Sequence, residues 1–258
     1  MPALIEFDSV GKSFTTPTGT VHAVQRIDLA VQRGEFVTLV GPSGCGKSTL
    51  LNMTAGLFAP TSGEVRYDGQ RVAGYNRRTG YMTQNDHLLP WRDVAGNIAV
   101  PFEIAGLTKA QAAERVRPLI ELVGLTGFER SYPVQLSGGM RKRAALARLL
   151  AYDPETLLLD EPFAALDAQL RLRMQIELRQ IARKLNKTVL FVTHDLDEAV
   201  ALADRVVIFS GRPGAIRHVV DSTLPRERDL MSLRRNHAYT EQTAELWELL
   251  APEVEEVR

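Results

Sequence analysis

Cysteine is nearly absent from this sequence: Cys45 is the single one in 258 residues. An internal disulfide is therefore excluded, and a reducing setting fits. Long hydrophobic runs are missing too. No stretch approaches the roughly 18 apolar residues that a membrane span needs, so any membrane role is expected to come through a partner. The opening residues Met1 to Glu6 carry neither a basic stretch nor a long apolar one, so no secretory signal is expected. An excess of charge is also lacking. Lys+Arg number 31 and Asp+Glu 31, a formal net charge of +0. That gives no general electrostatic case for binding nucleic acid or an anionic membrane. Internal repeats and low-complexity segments are not found. What remains is ordinary globular composition, 45% hydrophobic and 24% charged, in a chain long enough for one large domain or two smaller ones.

The most informative stretch is Gly41-Pro42-Ser43-Gly44-Cys45-Gly46-Lys47-Ser48-Thr49. It follows a buried-looking strand, Phe36 to Val40, and opens an apolar helical run, Leu50 to Ala55. Strand, glycine loop, helix is the context in which a phosphate-binding loop makes physical sense. Glycines let successive backbone N–H groups turn inward on an anion. The helix start adds unpaired N–H groups and the positive end of its dipole. Lys47 would reach the terminal phosphates, and the Ser48 hydroxyl would hold Mg²⁺. The bland alternative is a Gly/Ser turn that only joins a strand to a helix.

Before this loop, Leu4–Phe7, Val21–Val24 and Ile27–Val31 read as short strands. Phe14 falls in a polar turn between them, either capping a small satellite core or offering a stacking platform for a purine. After the loop, Glu64–Gly69 and Thr79–Gln84 read as strands ending in turns. Gln84 leaves the second of these. It is either a solvated loop residue or, in a nucleotide site, an amide that reaches the metal or the attacking water. From about Leu88 to Leu150 the pattern turns helical, a candidate second subdomain. Thr108 can cap a helix reaching Val123, with Ala113, Val116, Leu119, Ile120 and Val123 on one stripe, and Pro118 should bend or interrupt it. Trp91 is either a core residue or an exposed anchor for a partner. Ser137 is a natural N-cap, and Gly138 and Gly139 would leave the following helix start bare, either a flexible turn or a second phosphate-binding end.

Leu157-Leu158-Leu159 is the continuous apolar run of a parallel strand buried on both faces. It ends in Asp160 and Glu161, where open α/β sheets bind ligands. Asp160 suits a Mg²⁺ shell, and Glu161 suits orienting or deprotonating a water. Residues 167–185 carry both a strand-like alternation and a helical face. Length and Arg/Gln/Lys content favour a helix capped by Asp167. Thr188–Thr193 reads as the next buried strand, ending in His194, whose imidazole could donate to a γ-phosphate or hold the water. A helix from Leu196 and strands at Arg205–Ser210 and Ala215–Val220 follow. In the charged tail, Tyr239 to Leu250 forms a short amphipathic helix.

In this order the segments resemble the ATP-binding subunit of ABC transporters, over about residues 4–220. Gly41 to Thr49 corresponds to the Walker A loop, Gln84 to the Q-loop residue, and Leu136 to Met140 to the signature. Leu157 to Asp160 followed by Glu161 corresponds to Walker B, Ala165-Leu166-Asp167 to the D-loop, and His194 to the switch histidine. Two departures stand out: Met140 replaces the commoner Gln, and Phe14 occupies the stacking position where Tyr is more usual. The resemblance implies an α/β fold, a P-loop NTPase core with a mostly parallel sheet, an N-terminal antiparallel β subdomain and an inserted α-helical subdomain. Residues 1–220 would form the ATPase domain, with the helical insert at about 88–150, and 221–258 a tail. The cofactors implied are ATP and Mg²⁺, with Ser48, Gln84 and Asp160 serving the metal.

The Leu88-Leu89-Pro90-Trp91 segment, the signature through Arg141, the Arg212-Pro213-Gly214 turn and Leu224-Pro225-Arg226 resemble one importer branch. That branch takes up nitrate, sulfonates, taurine and similar small molecules, including pyrimidine precursors. By this resemblance two copies bind head to tail around two ATP molecules. Ser137, Gly138 and Gly139 of one copy close on the γ-phosphate held by Lys47 of the other. Two membrane-spanning permease subunits insert short helices near the helical insert and Gln84, an extracytoplasmic solute-binding protein delivers substrate, and the chain sits peripherally on the cytoplasmic face of the inner membrane. The competing class is a soluble, non-transport ABC ATPase acting on DNA ends or ribosomes. Such relatives typically carry a long coiled-coil insert or two cassettes, and only about fifty residues separate Gln84 from Ser137 here. A P-loop small-molecule kinase gives no reason for Ser137-Gly138-Gly139.

Overall fold

The computed structural model describes residues 2–17, 19–164 and 166–255. The chain begins with a long hairpin, β1 (Ile5–Thr16) and β2 (Gly19–Val31), and enters the centre of the molecule as β3 (Phe36–Val40). Helix α1 (Lys47–Thr54) follows, then β4 (Ser62–Tyr67), β5 (Gln70–Arg71) and β6 (Thr79–Met82). Three helices come next, α2 (Val94–Ile104), α3 (Lys109–Leu122) and α4 (Gly138–Ala151). The chain returns through β7 (Thr156–Asp160), α5 (Ala168–Lys184), β8 (Thr188–Val192), α6 (Leu196–Leu202), β9 (Arg205–Phe209) and β10 (Ile216–Asp221), and ends in α7 (His237–Glu255).

Two sheets result. The first is antiparallel, in the order β2-β1-β4-β5. The second runs β10-β9-β3-β8-β7-β6 and is parallel except for its antiparallel edge strand β10. Every residue of β3 and β8 is buried. Strands covered on both faces can be apolar throughout, which is why Phe36–Val40 and Thr188–Val192 show no alternation. One core lies between the two sheets and α1, around Ile5, Leu39, Leu51 and Phe209. A second lies on the other face of the parallel sheet, under α4, α5 and α6. A third joins α2, α3 and α4 through Ile98, Val116, Ile120 and Ala147. The architecture is the α/β one expected: a mostly parallel P-loop sheet, an antiparallel β layer and a helical insert.

Several local expectations need correction. Phe14 lies in β1, not in a turn, paired with Val21. The β1–β2 ladder changes register between Phe7 and Val10, Val10 and Lys12, and Lys12 and Ser13. Each irregularity breaks the period-2 pattern, so one long strand reads as fragments. Pro118 does not interrupt α3, which is a single helix from Lys109 to Leu122. Pro118 and Glu114, the residue whose carbonyl loses its helical partner, are both exposed, so water can satisfy that carbonyl. The buried stripe of α3 uses Ala112 where Ala113 was expected, and Ala113 is exposed. Thr108 caps this helix as expected, in a reciprocal capping box with Gln111. Trp91 is 71% exposed, which removes the core reading. Helix α7 is longer than expected, starting at His237, where the Asn236 side chain accepts from the Ala238 amide at 3.0 Å. Its Tyr239, Leu246 and Leu250 join the core under α5 and α6, so the tail packs on its own chain.

Candidate functional site

The glycine loop leaves the carboxyl end of β3 and closes into α1. Gly46 is the N-cap of α1, at φ 97°, and no side chain caps this helix start. A Cβ on Gly46 would lie 2.2 Å from Val24 Cγ1 and 2.8 Å from the Ala23 carbonyl oxygen. Only glycine meets both the backbone conformation and the wall that β2 sets behind the loop. The Lys47 side chain turns back across the loop. Its Nζ donates to the carbonyl oxygens of Gly41 (2.7 Å) and Pro42 (2.8 Å) and lies 3.4 Å from Cys45 Sγ. Lys47 is 6% exposed and Cys45 is fully buried. A buried ammonium and an uncapped helix start thus lie together in one loop, where Ser43 and Gly44 are exposed and Pro42 and Thr49 are half-buried.

The acids come from the end of β7, two strands from β3 in the sheet. β7 pairs with β8 so that Asp160 stands opposite Val192. Asp160 Oδ1 accepts from Ser48 Oγ at 3.0 Å, and Oδ2 accepts from the Tyr81 hydroxyl at 3.3 Å. Burial pushes the Asp160 carboxyl up, and the neighbouring Glu161 adds to this. The hydrogen bonds from Ser48 and Tyr81 and the Lys47 charge oppose it. Tyr81 is pushed well above the usual phenol range by burial and by the Asp160 charge. Glu161 follows at φ 46°, a conformation rarely held by a residue with a Cβ, and its amide donates to the Val192 carbonyl at 3.0 Å. Its Oε2 lies 3.3 Å from Nδ1 of His194, whose side chain is 64% exposed. Ser48, Asp160, Glu161 and His194 therefore form a connected row across the carboxyl ends of β3, β7 and β8, beside the glycine loop.

The other candidates lie outside this row. Gln84 is exposed just beyond β6, and its carbonyl accepts from Lys142 Nζ. Arg148 holds the carbonyls of Asp86 and His87, and Arg141 Nε bonds Asp86, so three cations of α4 strap the segment after β6. Ser137 caps α4 as expected, accepting from the Met140 amide at 3.3 Å. Gly138 is exposed, whereas Gly139 is buried against Leu170 of α5. Phe14 is exposed, edge-on to Phe58 at 5.5 Å between ring centroids, with Lys12 Nζ 5.2 Å from its own centroid. The contact leaves a partly exposed ring. Asp167 caps α5 through the Leu170 amide at 3.0 Å, while Ala165 lies outside the described residues. Between the parallel sheet and the helical layer runs a cleft of about 970 Å³ whose lining includes Tyr75, Tyr81, Asp86, Ile104, Arg115 and Tyr152.

Tyr81 and the α4 cations escaped the sequence reading. Each acts across elements distant in the chain, and the one local signal, a tyrosine on a strand next to the acid-bearing strand, requires knowing the strand order. The donor set fits a nucleotide with Mg²⁺. The loop brings a buried cation beside an uncapped helix start, which suits phosphate, and Ser48 and Asp160 present two oxygens 3.0 Å apart, the hard donors that Mg²⁺ prefers while keeping water and phosphate in its shell.

Residues 24–164 match the ABC transporter family. The chain is 43% identical over 228 residues to the aliphatic sulfonates import ATP-binding protein SsuB of Bacillus cereus, covering 88% of this chain and 90% of that protein. It is 43% identical over 249 residues to the nitrate import ATP-binding protein NrtD of Synechococcus elongatus, covering 95% and 91%. Its fold superposes on the dimeric post-hydrolysis structure of the ATP-binding cassette MJ0796 bound to ADP and Pi, with a TM-score of 0.76 at 29% identity over 84% of this chain and 98% of that one. With the row of Ser48, Asp160, Glu161 and His194 beside the loop, these likenesses make the chain a member of the ABC transporter family, one of its ATP-binding ATPase cassettes.

Proposed function

We propose that this chain is the energy-supplying subunit of an importer for a small solute of the nitrate, sulfonate or taurine kind. The supporting observation is the connected row Ser48–Asp160–Glu161–His194 beside Lys47, in a chain whose relatives carry the names of sulfonate and nitrate importers. ATP is the substrate. Lys47 and the amides of Gly41 to Thr49 bind its phosphates and offset the charge that develops on them. Ser48 and Asp160, with Gln84, would hold Mg²⁺, which would supply charge neutralisation when bound. Glu161 takes or orients the proton of the attacking water, and His194, whose Nδ1 lies 3.3 Å from that carboxylate, would donate to the γ-phosphate or hold the water. Phe14 stacks on the adenine. This is positioning and electrostatics, with no covalent intermediate.

In this reading the site is half of a pair. Ser137, Gly138 and Gly139 of a second copy, bound head to tail, complete it. Two permease subunits insert helices into the cleft near Gln84, and an extracytoplasmic binding protein delivers the solute. The ATPase unit is residues 1–220 with the helical insert at about 88–150, and the tail 221–258 is folded onto it. Among the described residues no helix is long and apolar enough to cross a membrane, so attachment at the cytoplasmic face of the inner membrane runs through the permease. The test is co-purification from detergent extracts. Stoichiometric permease subunits, with ATP hydrolysis stimulated by the loaded binding protein, are the expected result. Ribosomes or DNA in their place would overturn the importer reading in favour of a non-transport ATPase.

A further inference from the structure

His194 is exposed, on the short connection between β8 and α6. An exposed side chain on a connection is mobile unless its backbone is held. Here both flanking residues are tied down. Thr193 is buried. Its hydroxyl donates to Glu198 Oε2 at 2.5 Å and accepts from the Asp195 amide at 3.0 Å. Gln175 of α5 donates to the other Glu198 oxygen at 3.0 Å. Asp195 Oδ1 caps α6 by accepting from the Glu198 amide at 3.2 Å. Its Oδ2 accepts from Arg171 Nη1 at 3.0 Å. The second terminal nitrogen of Arg171 donates to the Leu166 carbonyl at 3.0 Å, one residue before the cap of α5. One guanidinium thus bridges the segment entering α5 and the residue next to His194.

We propose that Arg171 is a positioning residue for hydrolysis: it locks the backbone of His194 to the Leu166–Asp167 segment and so sets the distance between the imidazole and Glu161. This rests on the role given to His194 above. A planar fork is suited to the task, because its two terminal nitrogens are fixed relative to one another while each takes a different acceptor. A lysine in its place offers one point charge, enough for Asp195 but not for both partners at once. The Thr193–Glu198–Gln175 network also meets Asp195, at its amide and its Oδ1, but it reaches the Leu166 carbonyl through Arg171, so it does not replace the bridge.

The test is a double-mutant cycle on the full-length chain, measuring ATP hydrolysis together with the imidazole resonances of the five histidines. Arg171→Met is expected to lower kcat about tenfold with KM for ATP changed less than twofold, as a misplaced catalytic group does. Arg171→Lys should recover part of that loss. In a His194→Ala background, Arg171→Met should cost less than twofold. The His194 resonance should shift or broaden in Arg171→Met while the other four hold still. Asp195→Asn keeps an N-cap of similar strength and removes the charge, so it gives a folded second variant expected to fall between Arg171→Lys and Arg171→Met. Equal losses in both backgrounds, or an unmoved His194 resonance, would overturn the inference. A His194→Ala chain that hydrolyses ATP at the original rate would instead overturn the role of His194 itself.

Discussion

Helices α1 and α4 both begin at glycine-containing runs, and both read from sequence as places for phosphate, yet the fold treats them oppositely. At α1 no side chain caps the first turn, and the loop is walled by Val24 and Ala23 of β2. The Lys47 ammonium is drawn onto the loop carbonyls. That end is a finished cradle: its first turn is uncapped, the Cys45 amide is tied to the Pro42 carbonyl at 3.4 Å, and its cation is in place. At α4 the Ser137 side chain already caps Met140, Gly138 is exposed, and Gly139 is occupied by packing against Leu170. Its cation, Arg141, is turned back onto the Leu136 carbonyl at 2.7 Å and onto Asp86, so it is spent on its own chain, and the exposed side at Gly138 is left open. A pre-formed anion site and a half-site differ in whether the chain supplies the walls as well as the amides.

The two helix ends part most clearly at Ser137. An arginine there would intrude on the open side of α4 without touching α1. Ser137→Arg is expected to abolish steady-state hydrolysis while the isolated chain binds ATP within about twofold of the original, since the Walker A cradle is complete without α4. Losing the cap costs about 1 kcal/mol, so a melting curve checks that the chain is folded. Equal loss of binding and hydrolysis would mean that the two helix ends are not divided in this way.

Next in size is Glu161→Gln. The amide keeps the shape of the row but takes no proton. Hydrolysis should fall by roughly 10²–10⁴-fold, the range for a lost general base. Binding by the α1 cradle should persist, so ATP-bound dimers should accumulate in size-exclusion chromatography. A variant that hydrolyses ATP within a few fold of the original would move the proton to another group.

The cradle was far more legible than its surroundings. Gly41 to Thr49 is a local pattern, and its chemistry depends on neighbours in the chain. Leu157-Leu158-Leu159 and Thr188–Val192 were legible because strands covered on both faces are apolar without a break. α5 was legible through Asp167 and its polar content, despite an alternation that suggested a strand. The hairpin β1–β2 was not, because its register shifts erase the alternation. Nor was the bond between Ser48 and Asp160 readable, across 112 residues, or that from Tyr81 to Asp160 across 79. Sequence pattern supplies residue types at an element's end, whereas strand order decides which ends meet.

A smaller effect tests the acidic side of the cradle by pH. Burial raises the Asp160 pKa in the folded chain, so its ionised form is costly there. Asp160→Asn should therefore melt about 2–4 °C higher near neutral pH in the absence of nucleotide and metal, while losing hydrolysis. The sign follows from linkage. As pH falls through the raised native pKa, the original chain takes up a proton on folding and regains stability. The gap between the two melting temperatures should narrow on acidification and close below the ordinary Asp range. A gap independent of pH would mean that the asparagine acts through packing alone.

An effect on stability alone concerns the packed side of α4. A Cβ on Gly139 would lie 2.0 Å from Leu170 Cδ2 and 2.8 Å from its Cγ. The Leu170 end can turn aside, but Cγ must shift as well, so Gly139→Ala should cost about 1–3 kcal/mol by overpacking. Truncating the neighbour removes both atoms. Gly139→Ala with Leu170→Ala should therefore melt higher than the sum of the two single losses allows, a coupling that a thermal cycle of four chains measures. If the single variants add without coupling, Gly139 is not held against α5, and both glycines of α4 are then free for a partner. If they couple as expected, Gly138 alone remains open, and the half-site narrows to Ser137, Gly138 and the amides that follow.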